Sequence, residues 1–210
     1  MHLKLALELS PYDYAPDMYE SPKQSFAEAA EDRNAFWLKC IAHKGLGHLV
    51  ALQKGTYLVD IDTLGETELE VILRQTLEDI LPEEWDAHLY MMCGGVCLFE
   101  QDILVLAPSC CGDMNSLSDW DEILDHASDT WTELWIGHPW VYYRRDKDII
   151  EFSNYTEANA TTHHEQDLAV MVRVYVTDME RELNKLKQQW SAFEFKFKTV
   201  LDKIKTSIHS

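Results

Sequence analysis

The chain has 210 residues, 46% of them apolar and 11% aromatic, which is enough to build a folded core and argues against disorder. It carries 37 acidic and 18 basic residues, and the resulting net charge of −19 disfavours a nucleic-acid or anionic-membrane partner. The first ten residues alternate too strictly for a signal peptide, no apolar run is long enough to cross a bilayer, and the five cysteines are irregularly spaced; we therefore expect a cytoplasmic protein with reduced thiols.

The first half of the chain predicts a strand, two helices and a hairpin. Apolar residues alternate over residues 3–9, which is typical of a half-buried strand. Helical spacing follows over residues 25–41, and the glycines after this segment are expected to end the helix. Residues 48–62 predict a hairpin that turns at Lys54 and Gly55. An amphipathic helix is then predicted over residues 66–81, before a proline.

The second half predicts two more hairpins separated by a short helix. Their strands are expected over residues 88–99, 103–108, 133–143 and 149–153. The short helix is predicted to end at Asp125 and to have Ser118 or Asp119 as its N-cap.

An apolar stripe with steps of three and four residues extends from Leu168 to Ile208 and predicts a long C-terminal helix. β-Branched residues leave helix and strand open as alternatives over residues 169–177. A helix of about 40 residues would be roughly 60 Å long. It would therefore pack along the body of the protein, which is the ordinary interpretation of such a stripe, or pair with a second copy through residues 164–208.

These elements together predict an α+β fold: a mostly antiparallel sheet built from hairpins, with flanking helices and a long C-terminal helix. We expect residues 1–160 to form an acidic α+β domain. Residues 161–210 are expected to form a helical segment packed on it, so that the two make one structural unit.

The charges are unevenly distributed along the chain. No Lys or Arg occurs in the 69 residues between Arg74 and Arg144, whereas residues 180–205 carry seven basic and four acidic side chains. This base-free stretch contains fourteen acids: Glu78, Asp79, Glu83, Glu84, Asp86, Glu100, Asp102, Asp113, Asp119, Asp121, Glu122, Asp125, Asp129 and Glu133. Concentrated negative charge favours a basic partner and speeds encounter with it, although it also serves solubility.

Two adjacent cysteines, Cys110 and Cys111, raise the question of a reactive thiol. A catalytic thiolate is helped by a nearby positive charge or a helix N-terminus, and carboxylates like those nearby oppose it. A triad of Cys111, His138 and Asp113, with His126 as the other histidine nearby, would suit a cysteine-dependent hydrolase or transferase. The common alternative is that such cysteines are buried as small apolar side chains.

The sequence predicts no metal or cofactor. Cys93 and Cys97 enclose two glycines and lack the spacing of a zinc ribbon or finger. A calcium loop that began at Asp113 would have Ser and Leu where it needs Gly and Glu, and no phosphate-binding glycine loop occurs. A looser cation site of Asp113, Asp119 and Asp121 is the remaining alternative.

Five of the seven tryptophans lie within or beside the base-free stretch, and interfaces favour Trp and Tyr as anchors. Trp120, set among acids, is expected at the surface, whereas Trp135 and Trp140 flank Ile136 and are expected in the core. The predicted partner-binding residues are Asp113, Asp119, Trp120, Asp121, Glu122, Asp125, Asp129 and Trp131.

Residues 131–153 read WTELWIGHPWVYYRRDKDIIEFS, in which IG leads into a hairpin whose second strand is IIEFS, and a long helical end follows. The pattern resembles bacterial immunity proteins of polymorphic toxin systems and is similar to their SUKH-type members over about residues 92–155. The resemblance implies a small, acidic, cytosolic protein that binds and blocks a toxin domain, often a basic nuclease.

The leading hypothesis is therefore a non-enzymatic acidic binding protein, of the immunity or inhibitor kind, that neutralises a basic protein partner such as a toxin domain. Residues 100–145 would dock the partner, with carboxylates steering the encounter and aromatic side chains anchoring it. The alternatives are a hydrolase or transferase that uses Cys111 and His138, and a scaffold that dimerises through residues 164–208.

Overall fold

The computed structural model describes residues 1–16, 19–20, 22, 29–125, 127–158 and 168–208. Its strands are β1 (His2–Glu8), β2 (Leu58–Asp60), β3 (Gly94–Glu100), β4 (Ile103–Leu106), β5 (Thr132–Leu134), β6 (Val141–Asp146), β7 (Ile149–Ser153) and β8 (Val170–Tyr175). Its helices are α1 (Pro11–Tyr14), α2 (Ala30–Ala42), α3 (Glu66–Thr76), α4 (Trp85–Met91), α5 (Leu117–Asp125) and α6 (Val176–Ile208). The strands form two antiparallel sheets, β2-β1-β3-β4 and β5-β6-β7-β8, which confirms the predicted α+β class.

The chain divides into two compact units. Unit 1 contains residues 1–5 and 93–189, and unit 2 contains residues 6–92 and 190–210. Strand β1 and helix α6 each contribute residues to both units. Of the helices that the structure describes, none is long and apolar enough to cross a membrane.

The predicted first strand is confirmed, and its second half belongs to the core of unit 2. Leu7 and Leu9 are buried, and the buried indole of Trp37 in α2 donates to the carbonyl of Leu9 at 2.9 Å. This hydrogen bond satisfies the one polar atom of the Trp37 ring. Residues 25–28, where the second predicted element begins, lie outside the described residues.

The hairpin predicted over residues 48–62 is wrong. Only Leu58–Asp60 forms a strand within this segment, and it pairs with β1 in the register Leu7↔Val59. The preceding residues form turns, one of which is closed by a hydrogen bond from Leu52 N to Leu58 O at 2.8 Å. The partner of β2 is therefore distant in sequence, where a local turn signal does not indicate it.

Two predicted boundaries also differ. Helix α3 ends at Thr76 instead of residue 81, because the chain turns at its C-cap, where Ile80 N donates to Leu77 O at 3.2 Å. Residues 88–91 belong to α4 and not to a strand. Trp85 and Leu89, one helical turn apart, are both buried, as expected for the inner face of a helix.

Unit 1 contains the turns of the two other predicted hairpins, and both hairpins are confirmed. The single strand predicted over residues 133–143 is wrong, because this segment contains β5 and the start of β6, which pair with each other. Strands β3 and β4 are joined by Gln101 and Asp102, which have positive φ angles of 49° and 68°, as a tight hairpin turn requires. Strands β6 and β7 pair in the register Tyr143↔Phe152. Strand β5 pairs with β6 on one side, and β8 pairs with β7 on the other.

Residues 169–177, for which helix and strand were both open, contain the end of a strand and the start of a helix. In β8, Val172 and Val174 are buried and Tyr175 is exposed, as in a half-buried strand. Helix α6 follows without a connecting residue, and Val176 N donates to Asp148 O at 2.9 Å.

The apolar stripe of α6 is buried within the chain, which confirms the core-packing interpretation. Its buried members are Met179, Leu183, Leu186, Phe193, Phe197, Val200 and Ile204. A dimer through residues 164–208 stays a prediction, and residues 164–167 lie outside the described residues.

Candidate functional site

The outer face of α5 carries a row of carboxylates, which we call the acidic ridge: Asp119, Glu122 and Asp125. The inner face is made by Leu117, Trp120 and Ile123, which recur every three residues and are buried. The ridge residues recur with the same step but are offset by two residues, a little over half a helical turn. They therefore lie on the opposite side of the helix, where Glu122 and Asp125 are exposed. Like charges at this spacing repel one another.

Asp113 starts the segment that leads into α5. Its carboxylate accepts a hydrogen bond from Asn115 N at 3.0 Å and caps a short 3₁₀ turn, Met114–Ser116, that runs into the helix. The predicted caps, Ser118 and Asp119, are therefore wrong. Asp113 sits earlier in the chain because the 3₁₀ turn precedes the regular helix.

Trp120 is fully buried, so the prediction of a surface anchor is wrong. Its ring packs 5.6 Å from the ring of Phe152, on the inner face of the second sheet. The acidic neighbours in the sequence suggested exposure, but the helical step of three places Trp120 beside Leu117 and Ile123 instead.

Asp119 is the half-buried member of the ridge. Burial raises the pKa of its carboxyl, and repulsion by Glu122 and Asp113 raises this pKa further. The ridge therefore holds negative charge at an electrostatic cost, which a cation placed beside it would relieve.

Asp121 faces a different environment. Its Oδ1 lies 3.0 Å from Nζ of Lys187 in α6, so this predicted partner-binding residue has a basic partner within the same unit. In unit 2, another α6 lysine, Lys205, likewise pairs with Asp86 at 2.8 Å. Part of the base-free stretch is therefore neutralised by the basic helix of its own chain.

The outer face of the second sheet carries a cavity, which we call the sheet groove. The groove has a volume of about 440 Å³ and is lined by Asp129, Arg144, Asp146, Ile149 and Glu151. Trp131 stands beside it, with its ring 4.6 Å from the guanidinium carbon of Arg144. This cation–π contact leaves Trp131 half-buried, so two predicted residues, Asp129 and Trp131, lie at one cavity.

Glu151 lies between two arginines on neighbouring strands of this face. Its carboxylate is 2.6 Å from Arg144 and 2.6 Å from Arg173. Burial raises the pKa of Glu151, but hydrogen bonds from Arg173 and Arg144 outweigh it, so the pKa lies below its ordinary value. The surface of the sheet groove is therefore held in place by ion pairs between neighbouring strands.

We expect Glu151→Gln to lower the free energy of unfolding by about 1–2 kcal/mol at pH 7, since the exchange removes two charge-assisted hydrogen bonds. The folded-state pKa is lowered, so this stabilisation is present above the unfolded-state pKa and is lost as pH falls through the folded-state pKa. Urea unfolding measured from pH 7 to pH 3 should show the difference between variant and wild type disappearing.

The matched control is Glu133→Gln, the same exchange at a half-buried position on β5. We expect the control to change stability little. A Glu151→Gln deficit that persists undiminished at pH 3 would contradict the assigned ion pairs.

The three members of the predicted triad have different partners. Cys111 Sγ lies 3.5 Å from Cys110 Sγ, and the His138 ring nitrogen Nε2 lies 2.7 Å from Glu157. Asp113, as described, caps a helical turn. The structure therefore does not assemble these residues into a nucleophile, base and orienting acid. His126 lies outside the described residues.

Both Cys110 and Cys111 are exposed, so the expected burial is wrong for this pair, although it holds for Cys40 and Cys97. Trp135 is also 39% exposed, against the expectation of a core position. Its neighbour Ile136 is buried, and successive side chains of an extended segment point to opposite sides.

Several residues of the sheet groove were not predicted, among them Arg144, Ile149 and Glu151. The signal for Ile149 and Glu151 is the alternation within β7, where Ile150 and Phe152 are buried and these two residues face outward. Arg144 lies opposite Glu151 in the register of β6 and β7. Over the part of the chain that the structure describes, no group of three or more His, Cys, Asp and Glu side chains is placed to hold a metal ion.

A scan against protein-family models gave no match for this chain, and comparisons with curated proteins and with solved structures gave none either.

Proposed function

We propose that this chain is a non-enzymatic acidic binding protein that docks a basic protein partner through the acidic ridge and the adjoining Asp129 and Trp131. The observation that carries the proposal is the ridge itself, where three carboxylates share the outer side of α5. A surface of this kind accelerates encounter with a cationic protein by long-range attraction.

The electrostatics of Asp119 support a cationic partner. Burial and two neighbouring carboxylates raise its pKa in the unbound protein. A lysine or arginine of a partner would lower that pKa, so binding would release protons at a pH near the pKa of Asp119 in the unbound protein. The affinity for the partner would accordingly weaken as pH falls below the pKa of Asp119 in the unbound protein.

Trp131 takes the anchoring role in this proposal, because Trp120 is in the core. A half-buried tryptophan beside a polar cavity provides the apolar contact area that charged side chains lack. Inhibition would follow when the ridge covers a cationic active site of the partner, which agrees with the role that the sequence resemblance to SUKH-type immunity proteins implies, that of binding and blocking a toxin domain.

The ridge variant Asp119→Asn, Glu122→Gln, Asp125→Asn tests the proposal. The partner is first captured on the immobilised wild-type chain at low salt, identified by mass spectrometry and purified. We expect a basic protein, and we expect the ridge variant to lower the association rate constant about 10-fold at low ionic strength. The loss should shrink at high salt, where charge attraction is screened.

The same variant should fold at least as stably as the wild type, because it removes repulsion between acids that costs about 0.2–0.5 kcal/mol per pair. Urea unfolding measures this. Lower stability together with weaker binding would mean that the ridge serves the fold.

The matched control removes three exposed acids of the same stretch in unit 2: Glu78→Gln, Asp79→Asn and Glu83→Gln. Its net charge equals that of the ridge variant. An equal loss of association rate in both variants would show a general charge effect and would contradict docking at the ridge. A captured partner with an acidic isoelectric point would contradict the proposal altogether.

A further inference from the structure

The adjacent thiols of Cys110 and Cys111 project from a loop whose backbone is fixed by the segment after β5. Ser109 N donates to Ile136 O at 2.8 Å, and His138 N donates to Cys110 O at 2.8 Å. Gly137 lies so close to this loop that a Cβ atom there would be 2.4 Å from Cys110 O. The loop is therefore held in one conformation.

Cys111 has a strained backbone. Its φ angle is +70°, a left-handed conformation that is unfavourable for a residue with a side chain. The other described residues with a side chain and positive φ, namely Gln101, Asp102 and Lys147, lie in the turns of hairpins. Cys111 also lies in a turn, closed by Gly112 N donating to Ser109 O at 2.8 Å, but this turn is not part of a hairpin and it holds the two adjacent thiols at the surface.

The two sulfur atoms are placed for reaction with each other. Both side chains are exposed, and the sulfurs are 3.5 Å apart, well beyond the ~2.05 Å of a disulfide bond. Reacting atoms at roughly 3–3.5 Å are in a near-attack arrangement. An accessible cysteine with a second thiol beside it is the setting in which oxidation by peroxide is reversible.

We propose that Cys110 and Cys111 form a modification site, a dithiol that a hydroperoxide oxidises to a disulfide between neighbours. One thiolate attacks the peroxide, the O–O bond breaks, and a sulfenic acid forms while the leaving oxygen takes up a proton. The second sulfur then attacks the sulfenic sulfur, the S–S bond forms, the S–O bond breaks, and the hydroxide leaves as water with the second thiol proton. Hydrogen peroxide is thereby reduced by two electrons to two molecules of water.

This reaction is independent of the docking of a basic partner. An external dithiol reverses it by returning two electrons and two protons and becoming a disulfide itself.

The purified full chain is treated with one equivalent of hydrogen peroxide, its remaining thiols are blocked, and it is digested with a Glu-specific protease. Cleavage after Glu100 and Glu122 isolates the pair on peptide 101–122, whereas Cys93 and Cys97 fall on peptide 85–100. We expect peptide 101–122 to become lighter by two hydrogen atoms and to regain them after dithiothreitol. A disulfide that links the two peptides would overturn the proposal.

The sulfenic acid is trapped with dimedone in single-thiol variants. We expect Cys110→Ser and Cys111→Ser each to give about 10-fold more dimedone adduct than the wild type, because the resolving thiol is missing. Cys93→Ser, which removes the other exposed thiol of unit 1, should behave like the wild type. Equal labelling of wild type and single-thiol variants would overturn the proposal.

A synthetic peptide of residues 101–122 tests the contribution of the fold. The peptide contains the same adjacent cysteines but lacks the segment around Gly137 that packs against their loop in the native chain. We expect it to give about 10-fold more dimedone adduct per disulfide formed than the native chain. An equal ratio would show that the fold builds no site.

Discussion

Trp120→Ala is expected to lower the free energy of unfolding of unit 1 by about 3–5 kcal/mol, the usual cost of deleting a buried aromatic ring. The indole is fully buried, and it projects from the inner face of α5 and packs against Phe152 of β7. Its removal leaves a cavity that neither the helix nor the sheet can close without breaking their own hydrogen bonds. Urea unfolding followed by far-UV circular dichroism measures the loss.

Two variants calibrate this result. Trp120→Phe keeps most of the ring and removes an indole N–H that has no acceptor among the described residues, so we expect a change within about 1.5 kcal/mol. Trp135→Ala removes a tryptophan that is 39% exposed and should cost much less than Trp120→Ala. A stable Trp120→Ala protein that fails to bind its partner would return Trp120 to the role of a surface anchor.

Gly137→Ala is the second substitution with a large expected effect, a loss of at least about 2–3 kcal/mol. Gly137 has a φ angle of +97°, and an added Cβ would lie 2.4 Å from Cys110 O and 2.6 Å from Ser109 O. Both are backbone atoms, so no side chain can move aside to relieve the overlap. The loop with the two thiols must move instead.

Gly45→Ala is the matched control, since Gly45 also has positive φ, +84°, but open space around its Cβ position. It should incur only the conformational cost of about 1–2 kcal/mol. The difference between the two variants, measured by urea unfolding, isolates the steric contact with the thiol loop. Equal losses would mean that the loop does not pack against Gly137 as described.

The parts of the fold that the sequence predicts are those with local signals. Strand β7 alternates and follows β6 after a short polar turn, and α5 has its apolar residues in one row. The pairing of β2 escaped prediction because its partner is β1, about 50 residues earlier in the chain. Helix α4 escaped because its apolar residues suit a strand equally well until Trp85 and Leu89 are seen to be buried together.

The candidate site divides in the same way. The acidic ridge follows from a spacing of three within one helix, so the sequence is sufficient to find it. The sheet groove depends on the registers Arg144↔Glu151 and Glu151↔Arg173, and the second of these joins strands separated by a segment that has no regular pattern. The prediction for Trp120 fails for the opposite reason. The acidic neighbours of Trp120 suggested exposure, although its spacing from Leu117 and Ile123 already indicated the apolar face of the helix.

The direct passage from β8 to α6 has a mechanical consequence. Val176 opens the helix, and its amide is bonded to Asp148 in the turn between β6 and β7, so the first helical turn cannot swivel independently of that turn. A rotation of the first helical turn would therefore strain the backbone hydrogen bonds between β7 and β8. We expect the junction between the edge strand β8 and helix α6 to be rigid.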